Sequence, residues 1–119
     1  MSYDIQLYTT ATKAKEQQAG DKNFFDNEQN LVPFTDEQVQ RLKDRLTDYD
    51  YVLEKEDQDG LKFRHAEHSI SALLTGKGLY FTAGWGEENI FEAGMAASEF
   101  TDSGEFEKYD PQNGGWEEF

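Results

Sequence analysis

Apolar residues at the beginning of the chain follow the period of a β-strand. Tyr3, Ile5 and Leu7 are each separated by one residue, which predicts a strand that buries one face. Residues 9–30 are then mainly polar, apart from the pair Phe24–Phe25. We expect either one or two helical turns in this segment or a long loop anchored by the two phenylalanines.

The clearest local signal in the chain is the start of a helix. Thr35 is followed three residues later by Gln38, which is the spacing of a capping box. Phe34 and Val39 occupy the two positions of a hydrophobic staple around the same cap. Apolar residues then recur at helical spacing from Val39 onward, so the pattern predicts a helix over about 36–48.

The middle of the chain has the pattern of two strand pairs. Residues 51–56 and 61–67 flank the turn sequence at 57–60, which favours a β-hairpin. Residues 69–74 and 79–82 form a second pair of predicted strands, separated by a glycine-containing turn. The four strands are close together in sequence and are expected to pair in one sheet.

The last third is predicted to contain a helix and a short strand. Residues 87–100 have helical composition, and two glutamates occupy the first turn, where the helix dipole favours negative charge. Residues 106–109 indicate a final strand. The order of elements predicts an α+β fold with an antiparallel or mixed sheet of about five or six strands and two helices packed on one face. We expect a single acidic domain over 1–119.

Acidic residues greatly outnumber basic ones. The chain has 25 Asp and Glu against 11 Lys and Arg, a formal net charge of -14. This excess argues against direct binding of nucleic acid or of an anionic membrane, and it favours a basic protein partner or simple solubility. The imbalance is strongest in residues 87–119, where ten acids accompany one lysine. The 17 Phe, Trp and Tyr residues indicate a folded chain, because disordered chains are poor in aromatics.

The absence of cysteine from the sequence excludes disulfides and thiolate zinc sites. The apolar runs are also much shorter than the roughly 20 residues of a membrane span. No secretory signal pattern precedes the first predicted strand. We therefore expect a cytoplasmic protein that does not associate with membranes.

Patterns that would indicate metal binding or catalysis are weak. His65 and His68 are three residues apart, and such positions on a strand point to opposite faces. The acidic turn at 57–60 lacks the glycine and glutamate that a calcium loop needs at its sixth and twelfth positions. No Gly-x-Ser-x-Gly elbow is present. We expect no metal, no cofactor and no identifiable catalytic residue, and the sequence favours a non-enzymatic role.

The acidic residues of the last third and the two tryptophans form the candidate partner-binding site. Trp85 and Trp116 each lie beside glycines and are either exposed aromatic anchors of the type found at binding hot spots or caps on the core. The acids are interpreted either as a docking surface for a basic protein or as a solubilising face. The acidic candidates are Glu87, Glu88, Glu92, Glu99, Asp102, Glu105, Glu107 and Asp110.

Two short segments carry a resemblance to known proteins. The opening residues Met1–Ile5 and the late segment Tyr109–Gln112 resemble small uncharacterised bacterial proteins, some of them suspected toxin-immunity proteins. The resemblance implies a bacterial interaction protein and carries no catalytic residue onto this chain.

Three functions are compatible with these features. The first is a cytoplasmic interaction protein, such as an inhibitor or immunity protein, that binds a basic partner through the acidic surface. The second is a small enzyme or ligand-binding domain with a pocket between segment 9–30 and the sheet. The third is an accessory domain whose charge serves only solubility.

Overall fold

The computed structural model describes residues 2–21, 23–111 and 115–117. Its seven strands are β1 (Ser2–Thr9), β2 (Tyr51–Asp57), β3 (Gly60–His65), β4 (Ile70–Leu74), β5 (Leu79–Gly84), β6 (Phe106–Asp110) and β7 (Gly115–Trp116). Its helices are α1 (Thr10–Ala19), α2 (Asp36–Asp48) and α3 (Glu87–Phe100). Two 3₁₀ turns, Phe24–Asp26 and Glu28–Asn30, lie between α1 and α2.

The strands form one antiparallel sheet in the order β2-β3-β4-β5-β1-β6-β7. Strands β2 to β5 follow one another as a meander, and β1 lies between β5 and β6. The predicted α+β class is therefore confirmed, and the sheet contains one strand more than the upper limit expected. The additional strand, β7, has only two residues, which is too short to produce a readable alternation.

One face of the sheet packs against α2 and α3. Helix α2 begins where the sequence predicts, because Thr35 accepts a hydrogen bond from the Gln38 backbone and the Gln38 side chain accepts one from the Thr35 backbone. Leu42 and Leu46 of this helix are fully buried. Large side chains of the sheet complete the core, including Ile5, Leu7, Phe63, Leu79 and Phe81.

The second face of the sheet is also partly covered. Tyr8 is 2% exposed, so the prediction of a first strand with one buried face is wrong. Its ring packs with Phe25 at 5.0 Å between centroids and with Trp116 at 6.0 Å. We call this set the aromatic cluster; it comprises Tyr8, Phe24, Phe25, Leu31, Tyr80, Tyr109 and Trp116.

Helix α1 lies beside β1 and β6 on the side of the aromatic cluster, so the three helices do not share one face. Thr9 caps the helix by accepting from the Thr12 backbone over 3.0 Å, and Gly20 ends it in the left-handed region at φ 60°. Lys13 pairs with Glu107 of β6 at 3.6 Å. The helix has little apolar periodicity, which is why the sequence pattern predicted at most one or two turns here.

None of the described helices has the length and apolar character that crossing a bilayer requires.

Candidate functional site

Three of the eight candidate carboxylates pair with cations of the helices that cover the sheet. Arg45 holds both oxygens of Asp102 at 3.1 and 3.3 Å. The other two pairs are Arg41 with Glu105 and Lys13 with Glu107. These acids are therefore largely compensated within the molecule, and their local field toward a partner is reduced.

Two further candidates accept hydrogen bonds from tyrosine hydroxyls. Tyr49 donates to Glu99, and Tyr3 donates to Asp110 Oδ2 over 2.7 Å. Asp110 is 8% exposed, so it does not lie on an open acidic face. Partial burial, together with the hydrogen bond to this carboxylate and its charge, raises the pKa of Tyr3 to about 12.

Glu92 lies over a buried histidine. Its carboxylate is 3.9 Å from Nε2 of His65, and the His65 ring meets the Tyr51 ring edge to face at 4.9 Å. His65 is buried where β3 ends. Nδ1 of His65 accepts from the backbone N–H groups of Glu67 and His68. Burial, together with the negative charge of Glu92, raises the pKa of Tyr51 above its ordinary range.

The histidine rings come closer together than a regular strand would allow. Because β3 ends at His65, the chain turns and brings the two ring centroids of His65 and His68 to 4.8 Å. No group of three or more His, Asp or Glu side chains among the described residues is arranged to hold a metal ion.

The remaining two candidates, Glu87 and Glu88, are exposed in the first turn of α3. No ion pair engages them within the described residues. They lie beside two large exposed rings, Trp85 at 52% and Phe91 at 69%. We call Trp85, Glu87, Glu88 and Phe91 the α3 patch.

The connection from β5 to α3 positions the α3 patch. Gly86 takes a φ of 151° at the N-cap, and its carbonyl accepts from the Ile90 backbone. The Trp85 ring contacts the edge of Tyr3, with 6.1 Å between centroids. The contact with Tyr3 thus holds Trp85 against the sheet while about half of the Trp85 surface stays exposed.

Trp116 occupies a different environment from Trp85. Its indole N–H donates to Glu16 Oε1 over 2.9 Å, and its ring packs against Tyr109 at 4.9 Å. The side chain is partly buried in the aromatic cluster. It therefore closes the second face of the sheet, and it is not part of the α3 patch.

A cleft of about 430 Å³ adjoins the α3 patch, between α3 and strands β1 and β6. Its apolar walls include Tyr3, Ile5, Ile90, Phe91 and Met95, and Lys108 and Asp110 also line it. Sequence reasoning missed this cleft because its wall combines alternate residues of two strands that are far apart in sequence: Tyr3 and Asp110, for example, are 107 positions apart. Phe91 could have been found, since the buried helical positions Ala93, Ala96, Ala97 and Phe100 exclude it from the core face.

A larger cleft, of about 680 Å³, lies on the opposite face of the sheet. It is bordered by Leu31, Lys62, Leu73, Lys77 and Tyr80, among others. The aromatic cluster fills the space between segment 9–30 and the sheet. The cleft lies next to that segment, over strands β3 to β5.

Comparisons with protein-family models, with curated proteins and with solved structures find no match to this chain.

Proposed function

We propose that this chain is a cytoplasmic interaction protein that binds a basic protein partner through the α3 patch. The observation that carries the proposal is the exposure of Trp85 and Phe91 beside Glu87 and Glu88, which make no ion pair among the described residues. Aromatic side chains are enriched at protein–protein interfaces, and Trp is among the residues that form binding hot spots.

The two kinds of side chain in the α3 patch would contribute differently to binding. Burying the rings of Trp85 and Phe91 supplies affinity, at about 25 cal/mol per Å² of apolar surface removed from water. Glu87 and Glu88 supply local complementarity to Lys or Arg of the partner. The net charge of -14 acts at longer range by steering a basic protein toward the surface.

The α3 patch is smaller than the partner-binding surface that the sequence predicts. Of the eight candidate acids, the patch keeps Glu87 and Glu88, because the other six contact a cation, a histidine or a hydroxyl within the molecule. The resemblance of the opening and late segments to suspected immunity proteins supports an inhibitor or immunity role within the same class. A basic toxin would be the matching partner.

Charge-neutral variants test the patch against the general charge effect. The double variant Glu87→Gln/Glu88→Gln removes two charges at the patch, and Glu54→Gln/Glu56→Gln removes two from the exposed edge strand β2. Long-range steering falls equally in both. We expect the partner, captured at low salt and identified by mass spectrometry, to bind the first variant at least about tenfold more weakly than the second.

Aromatic substitutions provide a second measurement. Trp85→Ala and Phe91→Ala are each expected to weaken the complex by about tenfold to a hundredfold, while Val52→Ala on the exposed face of β2 leaves affinity unchanged. Equal affinity of all variants, or binding indifferent to ionic strength, would rule out the proposal.

The larger cleft supports a second candidate function, a ligand-binding or enzymatic domain. Its 680 Å³ falls in the range of small-molecule sites, and Leu31, Leu73 and Tyr80 supply apolar lining. Substituting Leu73→Trp would fill the cleft. If this function is correct, a compound that raises the melting temperature of the natural protein will have no effect on that variant. Failure of both functions would leave the solubility role.

A further inference from the structure

We propose that a small cleft on strands β2 to β5, on the sheet face that α2 and α3 leave uncovered, binds a free α-amino acid. The volume of this cleft is about 240 Å³. It is lined by Glu54, Arg64, Ser69, Ile70, Ser71 and Thr82. None of these residues belongs to the α3 patch, so the site is independent of the proposed partner and gives the chain a second ligand of a different chemical class.

Strand register places polar side chains of the cleft in one row. Arg64 of β3 lies between the buried residues Phe63 and His65, so its side chain points away from the helical side of the sheet. Arg64 is the pairing partner of Ser71 on β4, and Ser71 is the partner of Thr82 on β5. Paired residues of antiparallel strands share a face. A guanidinium and two hydroxyls therefore follow one another across adjacent strands.

A β-bulge brings a carboxylate to this row. The pairing of β2 with β3 shifts its register between Leu53 and Lys55, and Glu54 is the extra residue. Bulges re-aim a side chain, and they are over-represented at sheet edges and next to active sites. Strand β2 is at the end of the strand order, and Glu54 lines the cleft together with Arg64. The bulge thus places two opposite charges at one cleft.

These polar groups have no partner within the described part of the chain. Arg64 and Glu54 form no ion pair with each other or with another described residue. Their side chains and the hydroxyls of Ser71 and Thr82 also make no hydrogen bond to a described residue. All four side chains are exposed, so a ligand that enters the cleft displaces only water from them.

Opposite charges on one small cleft favour a ligand that carries both. The carboxylate of an α-amino acid matches the fork of Arg64, and its ammonium matches Glu54. The hydroxyls of Ser71 and Thr82 donate to the same carboxylate. Because the net charge of the chain is -14, a simple anion is repelled, whereas a zwitterion is not. The volume of 240 Å³ is below the roughly 300 Å³ of the smallest drug-sized sites, which favours glycine or alanine.

The test is a titration of the isotopically labelled natural protein with glycine at neutral pH, followed by NMR. The matched probes are N-acetylglycine, which lacks the ammonium, and glycinamide, which lacks the carboxylate. Glycerophosphoethanolamine carries both charges on a lipid headgroup. We expect glycine to produce saturable shifts at the amides of Glu54, Arg64, Ser71 and Thr82, and each of the other three probes to bind at least about tenfold more weakly.

Two variants assign each charge of the ligand to its partner. Glu54→Gln removes the contact with the ammonium, so it should weaken glycine binding at least about tenfold without weakening N-acetylglycine. Arg64→Gln should weaken glycine by a similar factor without weakening glycinamide. The controls Glu56→Gln and Lys62→Gln remove the same charges from the same two strands outside the cleft, and they should leave glycine binding unchanged.

The proposal is overturned if glycine produces no saturable shift at the cleft, or if N-acetylglycine or glycinamide binds as tightly as glycine. It is also overturned if the lipid headgroup binds more tightly than glycine, or if Lys62→Gln weakens glycine as much as Arg64→Gln does. The comparison of probes uses the natural chain, so it stands even where a variant does not fold. None of these outcomes depends on a basic partner, and the α3 patch keeps its own test.

Discussion

Tyr3 and Asp110 are 107 positions apart in sequence, and the Tyr3 hydroxyl donates to Asp110 Oδ2 over 2.7 Å. Tyr3 lies on β1 and Asp110 is the last residue of β6, so the bond joins the first strand of the chain to the neighbouring strand β6 in the sheet. The same pair lines the cleft beside α3. This contact therefore stabilises the sheet at the wall of the cleft that adjoins the α3 patch.

Alkaline pH tests this contact. The pKa of Tyr3 is raised from 10.0 to about 12 in the folded chain, so its stabilising contribution is complete below pH 10 and is lost as pH rises through about 12. Tyr3→Phe should be less stable than the natural chain at pH 8, and the difference should shrink by pH 12. Urea unfolding of both chains at several pH values measures this difference in unfolding free energy.

Other tyrosines provide the background for that experiment. Burial raises the pKa values of Tyr8 and Tyr51 above their ordinary range. The natural chain and Tyr3→Phe therefore both lose stability as the pH rises above 10. If the difference in unfolding free energy between the natural chain and Tyr3→Phe stays constant from pH 8 to 12, the Tyr3–Asp110 bond does not have the stabilising role assigned to it.

Gly60 is expected to tolerate no side chain. Its φ is 135°, and a Cβ there would lie 2.4 Å from the Leu74 carbonyl oxygen. Gly60→Ala should cost at least about 1–3 kcal/mol of unfolding free energy from backbone strain alone. Gly76→Ala is the matched control, because nothing lies within 4 Å of a Cβ at Gly76; its effect should stay within about 0.5 kcal/mol.

Phe81 tests the core on the helical side of the sheet. It lies opposite Ile5 on β1 and Ala72 on β4, and it is fully buried. Phe81→Ala should destabilise the chain by about 3–5 kcal/mol, the cost of lost burial plus a cavity. Val52→Ala, at an exposed position of β2, should cost far less. Chemical unfolding of both variants measures the two losses of unfolding free energy. Similar losses would mean that Phe81 is not part of the buried core.

The N-cap of α2 contributes a separate stability term. Thr35 Oγ1 accepts from the Gln38 backbone over 3.1 Å, and Gln38 Oε1 accepts from the Thr35 backbone over 2.9 Å. Thr35→Ala removes the first bond and should cost about 0.5–2 kcal/mol, whereas Thr35→Ser should retain most of the stability. A serine variant as unstable as the alanine variant would show that the cap bond is not the cause.

The two tryptophans should differ in fluorescence. Trp85 is half exposed, whereas Trp116 is hydrogen-bonded to Glu16 within the aromatic cluster. Acrylamide should quench the variant Trp116→Phe, which retains Trp85, several-fold more strongly than Trp85→Phe. The emission of Trp85 should also lie at longer wavelength, because about half of its surface is in contact with water. Equal quenching would argue that the α3 patch is closed in solution.

Elements with a strong local signal could be predicted from sequence. Helix α2 spans Asp36–Asp48, because its cap depends on residues three positions apart. Helix α3 spans Glu87–Phe100, as its composition indicated. Helix α1 is longer than the one or two turns that the sequence predicts. Thr9, Gly20 and contacts with β6 stabilise it without an apolar stripe.

The candidate site was less predictable than the fold. Charge counting located Glu87 and Glu88 and also six acids that the structure engages internally, because composition does not show which cations lie across the sheet. Arg45, for example, meets Asp102 over a separation of 57 residues. The exposure of Phe91 depends on which face of α3 meets the core.

The sequence by itself determined the α+β class, the boundaries of two helices, the hairpin turns and the acidic excess, because these follow from periodicity, capping and composition within a few residues. Tertiary structure decided the order of strands, the covering of the second sheet face and which two of the eight candidate acids, Glu87 and Glu88, make no ion pair within the described part of the chain. Those features depend on contacts between distant segments, such as Tyr3 with Asp110 and Trp116 with Glu16, and pairing energies of that kind leave no local pattern in the chain.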